Sequence, residues 1–275
     1  MPRNDELKTA AKAAKAAGEI LLKHYGKIHV RYKKDLSFVT EADVLSEKKI
    51  KSILEKEFPE YSVLGEESGL TEKCSEYTWI IDPLDGTTNY AILDPFYNVS
   101  IALAKGPNPV LGVVYYPAQD ELYHAVKGRG AYMNGKRIHA SKKRDMVTSF
   151  ISFCHSRDSA TTERINKIFP RLKRASDHVR QIGAAELELA YVGAGRIEAF
   201  MMLKQNPWDV ASGSLIVKEA GGRATDINGK PFNLESRDLV ASNGLLHNKL
   251  LKIIGGENAF QEQGGGRRKT RGKTR

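Results

Sequence analysis

Two carboxylates stand three positions apart at the end of an apolar run, in Trp79-Ile80-Ile81-Asp82-Pro83-Leu84-Asp85-Gly86-Thr87-Thr88-Asn89. Pro83 fixes φ between the acids, and Gly86 permits a tight turn directly after them. A buried strand of this kind delivers two hard oxygen ligands to its C-terminal edge and then exposes backbone N–H groups. Carboxylates beside a Gly-Thr-Thr turn suit Mg²⁺ and phosphate together. The acids hold the cation, while N–H groups and hydroxyls take the phosphate oxygens. The competing reading is an Asp-Pro-x-Asp-Gly surface turn, because both dipeptides are common turn formers.

Three more acidic motifs share the same design, an element boundary that ends in an acid. Val39-Thr40-Glu41-Ala42-Asp43 opens a helix, Leu64-Gly65-Glu66-Glu67-Ser68 closes a strand, and Pro207-Trp208-Asp209-Val210-Ala211-Ser212-Gly213 opens a helix far downstream. Taken singly, each has a plainer explanation. Asp43 and Asp209 suit helix N-caps or first-turn acids, worth about 0.5–2 kcal/mol, and Glu66-Glu67 suits a solvated pair.

The elements that must position these acids can be read from periodicity. Residues 5–25 give an amphipathic, Ala-rich helix with Gly26 as its C-cap, and a second helix runs from about 43 to 58 before Pro59. Short strands are expected at 61–64 and 79–81, and a hairpin over 98–116 turns through Gly106-Pro107-Asn108-Pro109. Further strands fill 121–140 around the Asn134-Gly135 turn signal. Beyond about 145 the texture alternates: strand 147–153, helices 160–173 and 184–193, strand 197–202, helix 209–220, strand 239–242, and a closing helix from about Leu245. An antiparallel-rich half with flanking helices is thus followed by an α/β half.

The chain has 275 residues, 41% hydrophobic and 28% charged, which fits one large domain or two intimately packed ones. No apolar run approaches the ~18 residues of a membrane span, and the N-terminus lacks an apolar signal core. Cys74 and Cys154 sit in unlike contexts, so neither a disulfide framework nor a zinc site is indicated, and a cytoplasmic address is expected. The net charge is +10, but Arg267, Arg268, Lys269, Arg271, Lys273 and Arg275 carry six of those charges. Without them the rest of the chain has 37 basic and 33 acidic residues, a mildly basic body suited to anionic substrates. Residues 259–275 read as a disordered basic tail, which could contact RNA or an acidic partner but serves equally as a solubilising end.

In order and wording, the four acidic motifs resemble the inositol monophosphatase family of Mg²⁺-dependent, lithium-sensitive phosphatases. That superfamily also includes fructose-1,6-bisphosphatases and nucleotide 3′-phosphatases. Its G-E-E-S, W-x-I-D-P-[IL]-D-G-T-x-N-[FY] and W-D-x-A-[AS]-G elements correspond to Gly65–Ser68, Trp79–Tyr90 and Trp208–Gly213, with a threonine-acid motif at Thr40–Asp43. The resemblance extends to about residue 255. It implies a layered αβαβα sandwich, an α/β (α+β) fold. Residues 1–145 would form an α+β half with most of the metal ligands, and 146–258 an α/β half with Asp209 and the substrate wall.

The resemblance also implies roles. Glu66, Asp82 and the Leu84 carbonyl would hold one Mg²⁺, and Asp82, Asp85 and Asp209 a second. A third would lean on Glu66 through water, giving two to three ions per site. Thr87, with Asp43 behind it, would orient and help deprotonate the attacking water, and Gly86, Thr87 and Thr88 N–H groups would cradle the phosphate. Gly183, Ala184 and Ala185 resemble a segment that contacts the polyol ring, though a close-packed helix start is an equal reading. Inositol-specific members carry an acid where this chain has Met202, with Lys204 two residues on, a departure that favours a second phosphate such as that of fructose 1,6-bisphosphate. The family's usual His is replaced by Ile92, and Arg174 and Arg180 read as solvated surface charges.

The expected function is therefore a phosphomonoesterase on inositol 1-phosphate, fructose 1,6-bisphosphate or both, in a chain that forms a homodimer. A regulatory protein that binds RNA or transcription machinery on the same fold is the reading from another class, and a nucleotide 3′-phosphatase ranks below it. The segment Lys27–Phe38 is expected to be mobile and to bring the third metal when closed.

Overall fold

A computed structural model of the chain describes residues 4–27, 30–32, 38–156 and 158–255. The basic tail and most of the segment expected to be mobile lie outside the described residues. Helix α1 (Asn4–His24) leads through the hairpin of β1 (Val30–Tyr32) and β2 (Phe38–Thr40) into α2 (Glu41–Glu57). Both helices follow the apolar periodicity. Ala10, Ala13, Ala14, Ala17 and Leu21 of α1 are buried, as are Ala42, Ile50 and Leu54 of α2. The small residues of α1 allow close approach. A Cβ on Gly18 would come within 2.5 Å of the Tyr115 ring, so this position has room only for hydrogen.

Beneath these helices lies a sheet of β3 (Ser62–Gly65), β4 (Gly69–Thr71), β5 (Tyr77–Asp85), β6 (Asn98–Lys105), β7 (Asn108–Tyr116), β8 (Glu121–Val126), β9 (Ala131–Met133) and β10 (Lys136–Ile138). Its order is β10-β9-β8-β7-β6-β5-β3-β4, antiparallel throughout except where β3 lies parallel to β5. Helix α3 (Thr87–Ala91) links β5 to β6. Alternation sorts the two faces. Trp79, Ile81, Val99, Ile101, Leu111 and Val113 join the α1/α2 core. Val114, Tyr116 and Tyr123 face the other way. The Asn134-Gly135 turn joins β9 to β10 with both φ positive, +47° and +76°, as a type I′ hairpin requires.

The second sheet comprises β11 (Phe150–His155), β12 (His178–Arg180), β13 (Ala199–Leu203), β14 (Arg223–Thr225) and β15 (Asp238–Ser242), in order β12-β11-β13-β15-β14. Strand β11 is parallel to β12 and β13, and β15 is antiparallel to its neighbours. Helices α5 (Ala185–Gly193) and α6 (Ala211–Glu219) pack between the sheets, while α4 (Ser159–Ala175) and α7 (His247–Ile254) cover the outer face. The layers run helix, sheet, helix, sheet, helix, the sandwich the sequence led us to expect. No helix among the described residues is long and apolar enough to cross a membrane.

Differences are local. The strand expected from residue 147 begins at Phe150, because the Asp145 carboxylate accepts from the Val147 and Thr148 N–H groups and holds a turn there. The helix expected over 209–220 begins with a 3₁₀ turn, Pro207–Asp209, before α6. The three-residue strands β1, β2, β4, β12 and β14 were not foreseen, β1 falling within the segment expected to be mobile.

Buried His247 ties α7 to the second sheet. The Thr225 hydroxyl is 2.7 Å from the Asp226 carbonyl and 2.9 Å from His247 Nε2, so it donates to the first and accepts from the second. Ser242 Oγ accepts from the Gly244 N–H and lies 2.9 Å from Nδ1, to which it donates. Only the neutral Nε2–H tautomer satisfies this chain. Burial, then the Arg223 charge, lowers the His247 pKa to about 4. A depressed histidine leaves stability intact above about pH 6.5 and lost as pH falls toward 4, because the unfolded chain takes the proton. Urea unfolding should show about 2 kcal/mol less of this contribution at pH 5 than at pH 7. His247→Gln should lose that part of the dependence; a variant profile parallel to wild type would contradict the assignment.

Candidate functional site

The acids meet where the first sheet's C-terminal strand ends face α5 and α6. Strand β3 sets Gly65 beside Ile81, and the Glu66 N–H donates to the Ile81 carbonyl at 3.2 Å, so Glu66 extends along Asp82. Between Asp82 and Asp85 the β5–β6 register slips, since Pro83 has no N–H for the ladder. Across that irregularity the two carboxylates stay near enough for the Asp85 charge to act on Asp82. The Leu84 N–H donates to Asp82 Oδ1 at 3.1 Å, and the Leu84 carbonyl accepts from Thr87 Oγ1 at 3.0 Å.

Asp85 accepts from three donors: Asn98 Nδ2 at 2.7 Å, Glu186 N–H at 2.8 Å and Ala185 N–H at 3.0 Å. An acid of the first sheet is thereby anchored to the start of α5. Asp209 comes from the 3₁₀ turn before α6, where the Asn206 N–H and side-chain amide donate to its Oδ2 at 2.8 and 3.1 Å. Asp43, in the first turn of α2, closes a capping box with Thr40, and its Oδ1 lies 3.3 Å from Thr87 Oγ1.

Burial dominates the electrostatics. It pushes Asp82 well above the usual carboxylate range, and the charges of Glu66, Asp85 and Asp209 add to the rise. Asp209 rises to about 7 and Asp85 to about 6, each mainly by burial, with hydrogen bonds pulling the other way. Burial also takes Asp43 to about 7 against its bonds from Thr40. Among the described residues no Lys or Arg forms an ion pair with Asp82, Asp85 or Asp209. Nor do any three His, Cys, Asp or Glu side chains among them stand close enough to share an ion as placed. Asp85 and Asp209 each accept backbone N–H bonds that hold their carboxylates in place. Clustered hard oxygens in mutual repulsion are nevertheless a donor set suited to Mg²⁺.

The remaining predicted residues divide into two groups. Gly86 has φ +90°, and a Cβ there would stand 3.0 Å from the Phe96 carbonyl and 3.1 Å from Ala184 Cβ. Thr87 and Thr88 follow it in α3, half-buried at the same edge. The Gly183 and Ala184 N–H groups donate to Glu188 Oε1, and the Asn89 amide bridges the Phe96 and Ile182 carbonyls, so residues 183–185 stand against the acids. Met202 is 9% exposed in the core between α5/α6 and the second sheet. Lys204 lies outward with its ammonium 3.1 Å from Asp158, and the Arg180 guanidinium turns to the Val179 carbonyl. Lys204 and Arg180 thus turn to partners other than the acids, while Met202 shares its core with Ala185, which donates to Asp85, and with Val210, which follows Asp209.

Supporting residues went unnoticed in the sequence. The buried Glu47 carboxylate of α2 accepts from the Glu67 and Ser68 N–H groups and so shapes the turn that carries Glu66. Ser46 Oγ donates to the Pro83 carbonyl at 2.8 Å. Glu186 and Glu188 interrupt the apolar run Ala184–Val192, and that interruption was the available signal.

Residues 3–258 match the model of the inositol monophosphatase family. The chain is 36% identical over 265 residues to the fructose-1,6-bisphosphatase/inositol-1-monophosphatase of Thermotoga maritima, covering 96% of this chain and all of that protein. It is 35% identical over 253 residues to the Nus factor SuhB of Xylella fastidiosa, covering 88% and 92% of the two chains. A solved inositol monophosphatase from Anabaena (Nostoc) superposes with a TM-score of 0.83 at 34% identity, covering 91% of this chain and 95% of that one.

Proposed function

The chain belongs to the inositol monophosphatase family and is a phosphatase, and from that premise we propose a Mg²⁺-dependent phosphomonoesterase for small polyol and sugar phosphates. The observation that carries the proposal is the convergence of Glu66, Asp82, Asp85 and Asp209: burial raises Asp82 and Asp209, and the charges of Glu66 and Asp85 add to both. Glu66, Asp82 and the Leu84 carbonyl would hold one ion, and Asp82, Asp85 and Asp209 a second, with Glu66 supporting a third through water. Bound Mg²⁺ would supply acidity to a water and offset charge on the departing ester oxygen.

The chain's own groups do the rest. Thr87 Oγ1, between the Leu84 carbonyl and Asp43 Oδ1, orients the attacking water. Asp43, raised to about 7, is matched to receive a proton near neutrality through that hydroxyl. N–H groups at Gly86, Thr87 and Thr88 would hold phosphate oxygens, and Gly183–Ala185 would form the wall toward the polyol. The nucleophile is water, so no side chain is phosphorylated.

Phosphate release from myo-inositol 1-phosphate and fructose 1,6-bisphosphate, measured side by side in Mg²⁺, tests the substrate class. The family name and the relative from Thermotoga maritima support turnover of both. Release from neither would end the polyol and sugar reading. A homodimer in the cytoplasm belongs to the same proposal and is checked by light scattering and fractionation. One relative's designation as a Nus factor favours a second, regulatory reading. Deletion of residues 264–275 tests it: loss of an RNA or polymerase association with phosphatase activity intact would mean that both roles coexist.

A further inference from the structure

Glu186 lies wholly buried in the first turn of α5, although an apolar side chain would fill that place without bringing a charge into the core. Its backbone N–H donates to Asp85 Oδ2 at 2.8 Å. Its Oε1 accepts from Ser212 N–H and Ser100 Oγ, each at 2.9 Å, and Oε2 accepts from Gly213 N–H. Ser100 is the residue paired across the ladder with Asp82. Ser212 and Gly213 open the helix that follows Asp209. A single residue therefore reaches all three aspartates, Asp85 through its backbone N–H and the neighbours of Asp82 and Asp209 through its carboxylate.

The surroundings are shaped to admit it. A Cβ on Gly213 would sit 2.7 Å from Glu186 Oε2, and one on Gly112 would sit 2.7 Å from Ser212 Cα. Two glycines thus bring α6 close enough for the carboxylate to reach its N-terminal amides. The arrangement also has a cost, because burial first and the Asp85 charge second oppose ionisation of Glu186. An apolar residue with a water-filled or side-chain cap would avoid the repulsion, so stability alone is a poor account of a carboxylate here.

We infer that Glu186 is a positioning residue that sets the spacing of Asp82, Asp85 and Asp209 for their ions by tying β6, α5 and α6 together. The inference rests on the metal reading above. Groups that orient metal ligands typically change metal affinity by about 10–100-fold when removed. Calorimetric titration with Mg²⁺ on wild type, Glu186→Gln and Glu186→Ala is the test, with circular dichroism to confirm the fold. Both variants should bind Mg²⁺ at least about tenfold more weakly, while kcat at saturating Mg²⁺ changes much less. Glu219→Gln is the control, since Glu219 also accepts two backbone N–H groups, from Gly128 and Gly130, at the far end of α6. It should alter stability and leave Mg²⁺ affinity within about twofold.

Folded Glu186 variants with wild-type Mg²⁺ affinity would overturn the inference. If neither variant folds, Ser100→Ala decides: an unchanged Mg²⁺ affinity there overturns it too. Absence of Mg²⁺ binding by wild type would remove the metal reading and this inference together. Metal affinity that follows Glu186 in a protein that hydrolyses neither ester would uphold the inference and discard only the substrate class.

Discussion

Asp82→Asn should lower phosphate release by more than about 100-fold, since even groups that merely support metal ligands cost about 10–100-fold when lost. Asp82 is the acid on which the fields of Glu66, Asp85 and Asp209 converge, and the proposal gives it to both ions. Its fold should survive. The side chain accepts one hydrogen bond, from Leu84 N–H, which an amide oxygen also accepts. Without metal the variant should unfold at a temperature equal to or above that of wild type, because a buried carboxylate among like charges is replaced by a neutral group. Substantial remaining turnover in a folded variant would mean that the shared-acid assignment is wrong.

The second large effect is a coupling of pH to Mg²⁺. Asp209, Asp85 and Asp43 titrate near 7, 6 and 7 in the folded chain, far above their unfolded values. A carboxyl whose folded pKa is raised binds its proton more tightly when folded. The metal-free protein therefore loses stability as pH rises from about 4 through about 7. Mg²⁺ must displace the protons of Asp85 and Asp209, so its affinity rises across the upper part of that window, about tenfold per pH unit for each proton released. Thermal melts between pH 6.5 and 8 should show a metal-free midpoint that falls and a Mg²⁺-induced rise that grows. His247 acts in the opposite sense but below pH 6.5, outside this range. A Mg²⁺ effect independent of pH would contradict the placement of Asp85 and Asp209 in the ion site.

The acidic motifs were legible because the chemistry needs particular residues at particular backbone positions. Pro83 and Gly86 announce the strand end that presents Asp82 and Asp85, and Trp208-Asp209 announces a helix start. Long periodic elements such as α1, α2 and α4 were legible for the same reason that they are stable, since each buries one apolar stripe. Three-residue strands carry too few positions to show a period, so β1, β2, β4, β12 and β14 could not be seen. The supports of the site were also invisible. Asn98 to Asp85, Glu47 to the Glu66 turn, and Glu186 to Ser100 and Ser212 are pairs distant in sequence that only the packed layers bring together.

Met202 and Lys204 were marked by a single departure from a pattern. In the structure Met202 packs into the core beside α5, while Lys204 pairs with Asp158, the N-cap of α4. Strand alternation explains the first: Met202 and Phe200 share the inward face of β13, so a residue at that position faces the α5/α6 layer. The positive φ of Lys204, +56°, turns the chain outward directly after the strand and explains the second.

Whether catalysis depends on the metal is decided by phosphate release titrated with Mg²⁺ after exhaustive EDTA treatment. No release is expected in EDTA, and a saturable return of activity on myo-inositol 1-phosphate or fructose 1,6-bisphosphate as Mg²⁺ is added. Turnover undiminished in EDTA, or no release at any Mg²⁺ concentration, would contradict that expectation.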